Sequence, residues 1–241
     1  YNKIDAKTTL SLTNSTIDTN TATNDGGGIY NNVTDADGEL ALNESTVSNN
    51  EATNQGGGIH NNYGFASLTN STVSGNEVGS GGKGGGIYNA ANGEANFANS
   101  TVADNTDNDN TTNNGGDIYN NNPSLNFTVT NSVIAGSSGN AEVKGGGDKI
   151  KLKKANLLET TDNTSFDNTS NVVGGGDLES LNNNGGPTQT HALTSSSAAL
   201  DAATGSPESE DQRGLDEQDG RDLGSFERVT GVNIGVLGPN S

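Results

Sequence analysis

The side chains with chemistry to offer are few, and most are acidic. Asp35, Asp37 and Glu39 alternate around Gly38 in the run Asp35-Ala36-Asp37-Gly38-Glu39, which sets oxygen ligands at every second position of a turn. That is the opening of a calcium loop without its distal bidentate Glu, so calcium is the expected cofactor. Acids from Asp104 to Asp117 and from Asp211 to Asp222 are further candidate oxygen donors. Two histidines, His60 and His191, lie far apart in the chain. The strand-like run Lys149-Ile150-Lys151-Leu152-Lys153 puts lysines on one face, as a solvated strand does. Polysaccharide hydrolysis needs a pair of carboxylates, and lyase chemistry a basic residue beside an acidic sugar. Residues 1–140 hold Lys3, Lys7 and Lys83 but no Arg, too few cations to line a groove for uronates.

These groups need a scaffold, and the composition restricts what it can be. Of 241 residues only 28% are hydrophobic and 35 are glycine, while 30 acids against 11 bases give a net charge of -19. One globular core of large side chains cannot be built from this, whereas a repeat architecture spreads a thin core along a stack. The acidic balance excludes a nucleic-acid partner, which needs a basic face. There is no Cys, hence no disulfide or thiolate metal site. No apolar run reaches the 18 or so residues of a membrane span.

The repeat is visible. Gly26-Gly27-Gly28-Ile29 returns as Gly56-Gly57-Gly58-Ile59, Gly84-Gly85-Gly86-Ile87 and Gly115-Gly116-Asp117-Ile118, with degenerate copies at Gly145 and Gly174. Between them run Leu12-x-Asn14-Ser15-Thr16-Ile17, Leu42-x-Glu44-Ser45-Thr46-Val47, Leu68-x-Asn70-Ser71-Thr72-Val73, Phe97-x-Asn99-Ser100-Thr101-Val102 and Val129-x-Asn131-Ser132-Val133-Ile134. Apolar residues alternate with polar ones, the period of a strand with one buried face. Short strands repeating at this interval fold as coils of a parallel β-helix, stacked about 4.8 Å apart. Ile29, Ile59, Ile87 and Ile118 should form one internal column, and Ile17, Val47, Val73, Val102 and Ile134 another. Asn31, Asn61, Asn89 and Asn120 should form an amide ladder and supply left-handed corners. Tyr30, His60, Tyr88 and Tyr119 fall on the outer side beside the inward Ile, an aromatic row able to stack on sugars. Ser74, just after Val73, should face outward and tolerate replacement.

With its Asn-Ser-Thr-Val/Ile and Gly-Gly-Gly-Ile-Tyr-Asn signatures, the chain resembles secreted bacterial right-handed parallel β-helix proteins. A further set of residues, Asn184 to Leu193, Ser197 to Asp201, Asp211-Gln212-Arg213-Gly214 and Gly224-Ser225-Phe226-Glu227, resembles the closing region of proteins with a choice-of-anchor domain. The resemblance implies a surface-exposed or released protein. The expected architecture is all-β: a right-handed parallel β-helix of six to seven coils over residues 1–180, a C-terminal cap or anchor-like region over 181–228, and a strand-like tail over 229–241. Tyr1-Asn2 reads as the end of a Gly-Gly-Gly-Ile-Tyr-Asn coil. An uncapped end and an alternating tail from Val229 to Leu237 favour head-to-tail self-association by strand addition. The functional expectation is a non-catalytic extracellular structural or adhesive protein, meeting its own copies or an extracellular polysaccharide. A polysaccharide-binding enzyme, lyase or hydrolase, is the alternative.

Overall fold

The computed structural model describes residues 2–4, 9–32, 39–108, 114–122, 127–136, 143–145, 150–159, 172–173, 178–205, 208–216 and 220–229. The regular structure among them is β-strand throughout, paired in parallel ladders and wound into a β-solenoid with three faces. The long face has ten strands, built around Ile59–Thr69 and Ile87–Ala98, which pair in parallel along most of their length. A second face stacks Thr16–Asp18, Thr46–Ser48, Thr72–Ser74, Thr101–Ala103, Val133–Ala135, Asn156–Leu158 and Val172–Val173. The third face has four short strands, Thr21–Ala22, Glu51–Ala52, Glu77–Val78 and Thr106–Asp107. Coils with all three faces therefore number four among the described residues, against the six to seven expected. The inward residue of the third face changes from Ala22, Ala52 and Val78 to Asp107, and beyond it, among the described residues, only the other two faces continue.

The interior follows from the alternation. Ile29, Ile59, Ile87 and Ile118 stand in register, continued by Val143, and Ile17, Val47, Val73, Val102 and Ile134 do the same, continued by Leu158. A further column runs Leu12, Leu42, Leu68, Phe97, Val129, Leu152. Its neighbour column takes Ala66 and Ala95 before Phe127, whose ring meets Phe97 edge-on with centroids 4.8 Å apart. At the start of the chain the register sets Lys3, not Tyr1, opposite Tyr30.

Polar ladders line the corners. The expected one is present: each amide nitrogen of Asn31, Asn61 and Asn89 donates to the side-chain oxygen one coil on, at 2.7, 2.8 and 2.9 Å, ending on Asn120. Left-handed backbone is found elsewhere, at Asn14, Glu44, Asn70, Asn99 and Asn131 of the Asn-Ser-Thr block and at Gly26, Gly56, Gly84 and Gly115. A second ladder joins Asn20, Asn50, Asn76 and Asn105, all donating in one direction, and ends on Asp117 Oδ1. Ser15, Ser45, Ser71 and Ser100 form a third, each backbone N–H donating to the serine Oγ one coil on, as far as Ser132. The third glycine of the triplet now has its reason: a Cβ at Gly58 or Gly86 would press on the carboxamide of Asn76 or Asn105. Where the Asn ladder runs out, the same position becomes Asp117, and its carboxylate supplies the last acceptor.

The described residues within 178–229 carry little regular structure, with isolated antiparallel bridges such as Asn182 to Thr190. They lie along the outside of the second face as a strap. Thr188 Oγ1 donates to Glu44 O and Thr46 Oγ1 to Gln189 O, while Gly224 N donates to Asn131 O three coils further on. Under the strap the outward positions of that face change from Thr46, Thr72 and Thr101 to Val133 and Leu157, which pack against Leu193, Ala199, Leu223 and Phe226 as a second apolar core.

Candidate functional site

Of the proposed calcium ligands, Asp35 and Asp37 lie outside the described residues. Glu39 is half-buried at the start of the strand Glu39–Asn43, and one carboxylate oxygen accepts the Ser67 hydroxyl at 2.5 Å. Among the described residues no group of three or more His, Asp or Glu stands close enough to hold an ion. The acids near the C-terminus do structural work. Asp211, fully buried, accepts from the backbone N–H groups of Arg213, Leu215 and Glu227 and pairs with the Arg213 guanidinium at 2.6 Å. Arg213 lies over the Phe226 ring, and Asp222 accepts from the backbone of Asp201 and Arg228. Glu227 is buried beside Asp222 and Asp211, and desolvation first, then those negative neighbours, push its pKa up to about 7.

The aromatic row exists but is covered. Tyr30, His60, Tyr88 and Tyr119 follow one another at centroid spacings of 4.9, 5.0 and 5.5 Å. His60, Tyr88 and Tyr119 are only 3, 6 and 9% exposed, so these three rings offer no platform to a sugar, and Tyr30 is half-buried. The glycine-rich corner folds over it: Asp25, Gln55 and Lys83 stack as an outer column, with Asp25 Oδ2 3.8 Å from His60 Nδ1 and Lys83 Nζ 4.8 Å from the Tyr119 centroid. Among the described residues neither ring nitrogen of His60 has a hydrogen-bond partner, and burial lowers its pKa to about 4.

His191 is fully buried at the seam between strap and solenoid. Its Nδ1 lies 2.7 Å from Glu179 O, a pure acceptor, so Nδ1 carries the proton and Nε2 accepts the Ser74 hydroxyl at 2.7 Å. A serine donating to a histidine is the start of a nucleophile–base pair. Here Ser74 is 2% exposed and the far nitrogen is oriented by a carbonyl, with Asp104 Oδ2 4.0 Å away. No substrate reaches that oxygen; the pair pins the strap. Ser74 does face outward, as the alternation requires, but it is buried. Gln212 joins the same seam, donating to Thr46 Oγ1 and Thr188 Oγ1 and accepting from Thr72 Oγ1. Lys151 and Lys153 flank buried Leu152 on an outward-facing strand, as expected.

One exposed feature escaped the sequence reading. Tyr63 and Phe65 leave the long face on its outer side, in the strand Ile59–Thr69. The register sets Asn32 and Asn92 beside Tyr63, and Glu39 and Glu94 beside Phe65. The signal available was the one coil in which two aromatics alternate where the others have polar residues.

No protein-family model matches this chain, and no curated protein or solved structure does either.

Proposed function

We propose that this protein is a non-catalytic extracellular structural and adhesive protein, a rigid β-helical body that presents surfaces to polysaccharide or to its own copies. The observation that carries the reading is the employment of the reactive groups. His191, Ser74 and Gln212 are buried and hold the strap against the solenoid, while Asp211 and Arg213 are buried or nearly so and tie the strap to itself. The family resemblance of the closing region supports surface exposure or release. The alternating segment 229–241 is the element proposed to add to a strand edge of another copy. Beads coated with the protein and passed over polysaccharide- and protein-coated surfaces test adhesion, and retention well above that of uncoated beads is expected. The same surfaces are assayed for new reducing ends and unsaturated products. Product formation that disappears on mutating one acidic group overturns the non-catalytic reading in favour of a polysaccharide lyase or hydrolase. Deleting residues 229–241 should abolish any concentration-dependent growth in light scattering; growth that persists rejects the tail as the joint.

A further inference from the structure

Tyr63 is 39% exposed, one of two large apolar side chains so exposed among the described residues. Its backbone is held from below. Asn31 Nδ2 donates to Tyr63 O at 3.2 Å, Asn61 Nδ2 to Glu94 O at 2.9 Å and Asn89 Nδ2 to Gly93 O at 3.0 Å. The ladder sits at a register shift, between Asn31 and Asn32 on one side and Asn89 and Asn92 on the other. Such an irregularity re-aims side chains, and here the inward Asn61 is followed two residues later by the outward Tyr63. The patch is thus a rigid pair of rings with flanking groups about 4.8 Å to either side, two carboxamides at Tyr63 and two carboxylates at Phe65.

The chemistry of such a patch is selective. Ring faces attract cations through the quadrupole, and carboxylates beside the rings add to this. Both repel uronates. A pyranose also lays its C–H face on an aromatic ring while carboxamides take its hydroxyls. Along the same outer face Asn43, Ser67, Thr69, Asn96 and Thr128 present short hydroxyls and amides rather than the apolar pockets that peptide side chains fill. We propose that the Tyr63–Phe65 patch binds a polymer of amino-hexoses through protonated amines held between Glu39 and Glu94; this rests on the adhesive reading above and names its ligand.

The test uses the whole chain with a glucosamine hexamer in low-salt, chelator-treated buffer, followed by calorimetry. Binding should weaken as salt is added, exceed that of the fully N-acetylated hexamer by about tenfold, and be absent for polygalacturonate. Tyr63→Ala and Glu94→Gln should each weaken it about fivefold, with melting temperature unchanged. Wild-type affinity in both variants overturns the proposal, as does equal affinity for the N-acetylated hexamer. Tighter binding of poly-L-lysine than of the hexamer reassigns the patch to a basic peptide and equally overturns it. If the hexamer does not bind while coated beads still adhere elsewhere, this patch is wrong and the adhesive reading stands; beads that adhere nowhere overturn that reading itself.

Discussion

Replacing Asn76 by Ala probes what holds one coil to the next. Asn76 is fully buried in the middle of the ladder. Its Oδ1 accepts from Asn50 N at 3.0 Å and Asn50 Nδ2 at 2.9 Å, and its Nδ2 donates to Val47 O, Ser74 O and Asn105 Oδ1 at 3.0, 3.2 and 2.9 Å. Asn50 Nδ2 keeps a bond to Ile17 O and Asn105 Oδ1 keeps the Asn76 backbone N–H, so these two are only weakened. Asn50 N–H is left buried without an acceptor, at about 1–3 kcal/mol, and the other lost bonds add roughly 0.5–1.5 kcal/mol each. The sum, about 2–6 kcal/mol, is a large share of the ~5–15 kcal/mol that holds an ordinary domain together. Asn76→Asp is the sharper variant. It keeps the acceptor but turns an oxygen toward three other oxygens, so it should be at least as damaging as Ala. A carboxylate is tolerated only at Asp117, where the ladder needs an acceptor and nothing to donate. Urea unfolding followed by circular dichroism measures both. A loss below about 1 kcal/mol for Asn76→Ala, or Asp outperforming Ala at pH 7, refutes the account.

Ile87→Ala, in a column fixed by strands on both sides, should cost about 2–5 kcal/mol, and Thr13→Ala at an exposed position should cost little; the reverse ranking in thermal melts would reject the register. Ser74→Ala leaves His191 Nε2 buried without a donor, so it should lose about 1–3 kcal/mol rather than being silent, measured in the same melts. His60 is neutral in the fold because its pKa is depressed from 6.5 to about 4, so between those values the unfolded chain alone takes a proton and stability falls as pH drops. His60→Phe should abolish that share, about 3 kcal/mol at pH 4; an unchanged pH profile would contradict it. Millimolar calcium should raise the melting temperature over that in chelator, and identical melts would reject a site built on Asp35, Asp37 and Glu39.

The columns of Ile29 to Ile118 and Ile17 to Ile134, and the amide ladder from Asn31, were legible because each coil repeats the same residue in the same register. The strap was not, because it occurs once and has no period. Thr72, Ser74 and Thr101 are polar and outward whether water or Gln212, His191 and Ser225 meets them, so alternation alone cannot tell the cases apart. The change to Val133, Ala135 and Leu157 at outward positions was the trace the strap left in the repeat. The aromatic row was placed on the correct side and misjudged in exposure, since the folding of Asp25 and Lys83 across it depends on the path of the corner. Tyr63 and Phe65 were overlooked because they break the repeat, and a search for what recurs passes over what does not.

The strap also changes how the body would bear tension. Coils bonded only to their nearest neighbours peel away singly when pulled from one end, each at low force, like a zip. Here the strap is fastened at Glu44, Thr46, Asn70, Thr72, Thr101 and Asn131, which belong to four successive coils. A coil cannot leave without first breaking its fastening, and load applied to one is shared by the rest in shear. Stretched along its axis, the protein should yield in one abrupt event at high force instead of a staircase of small ones.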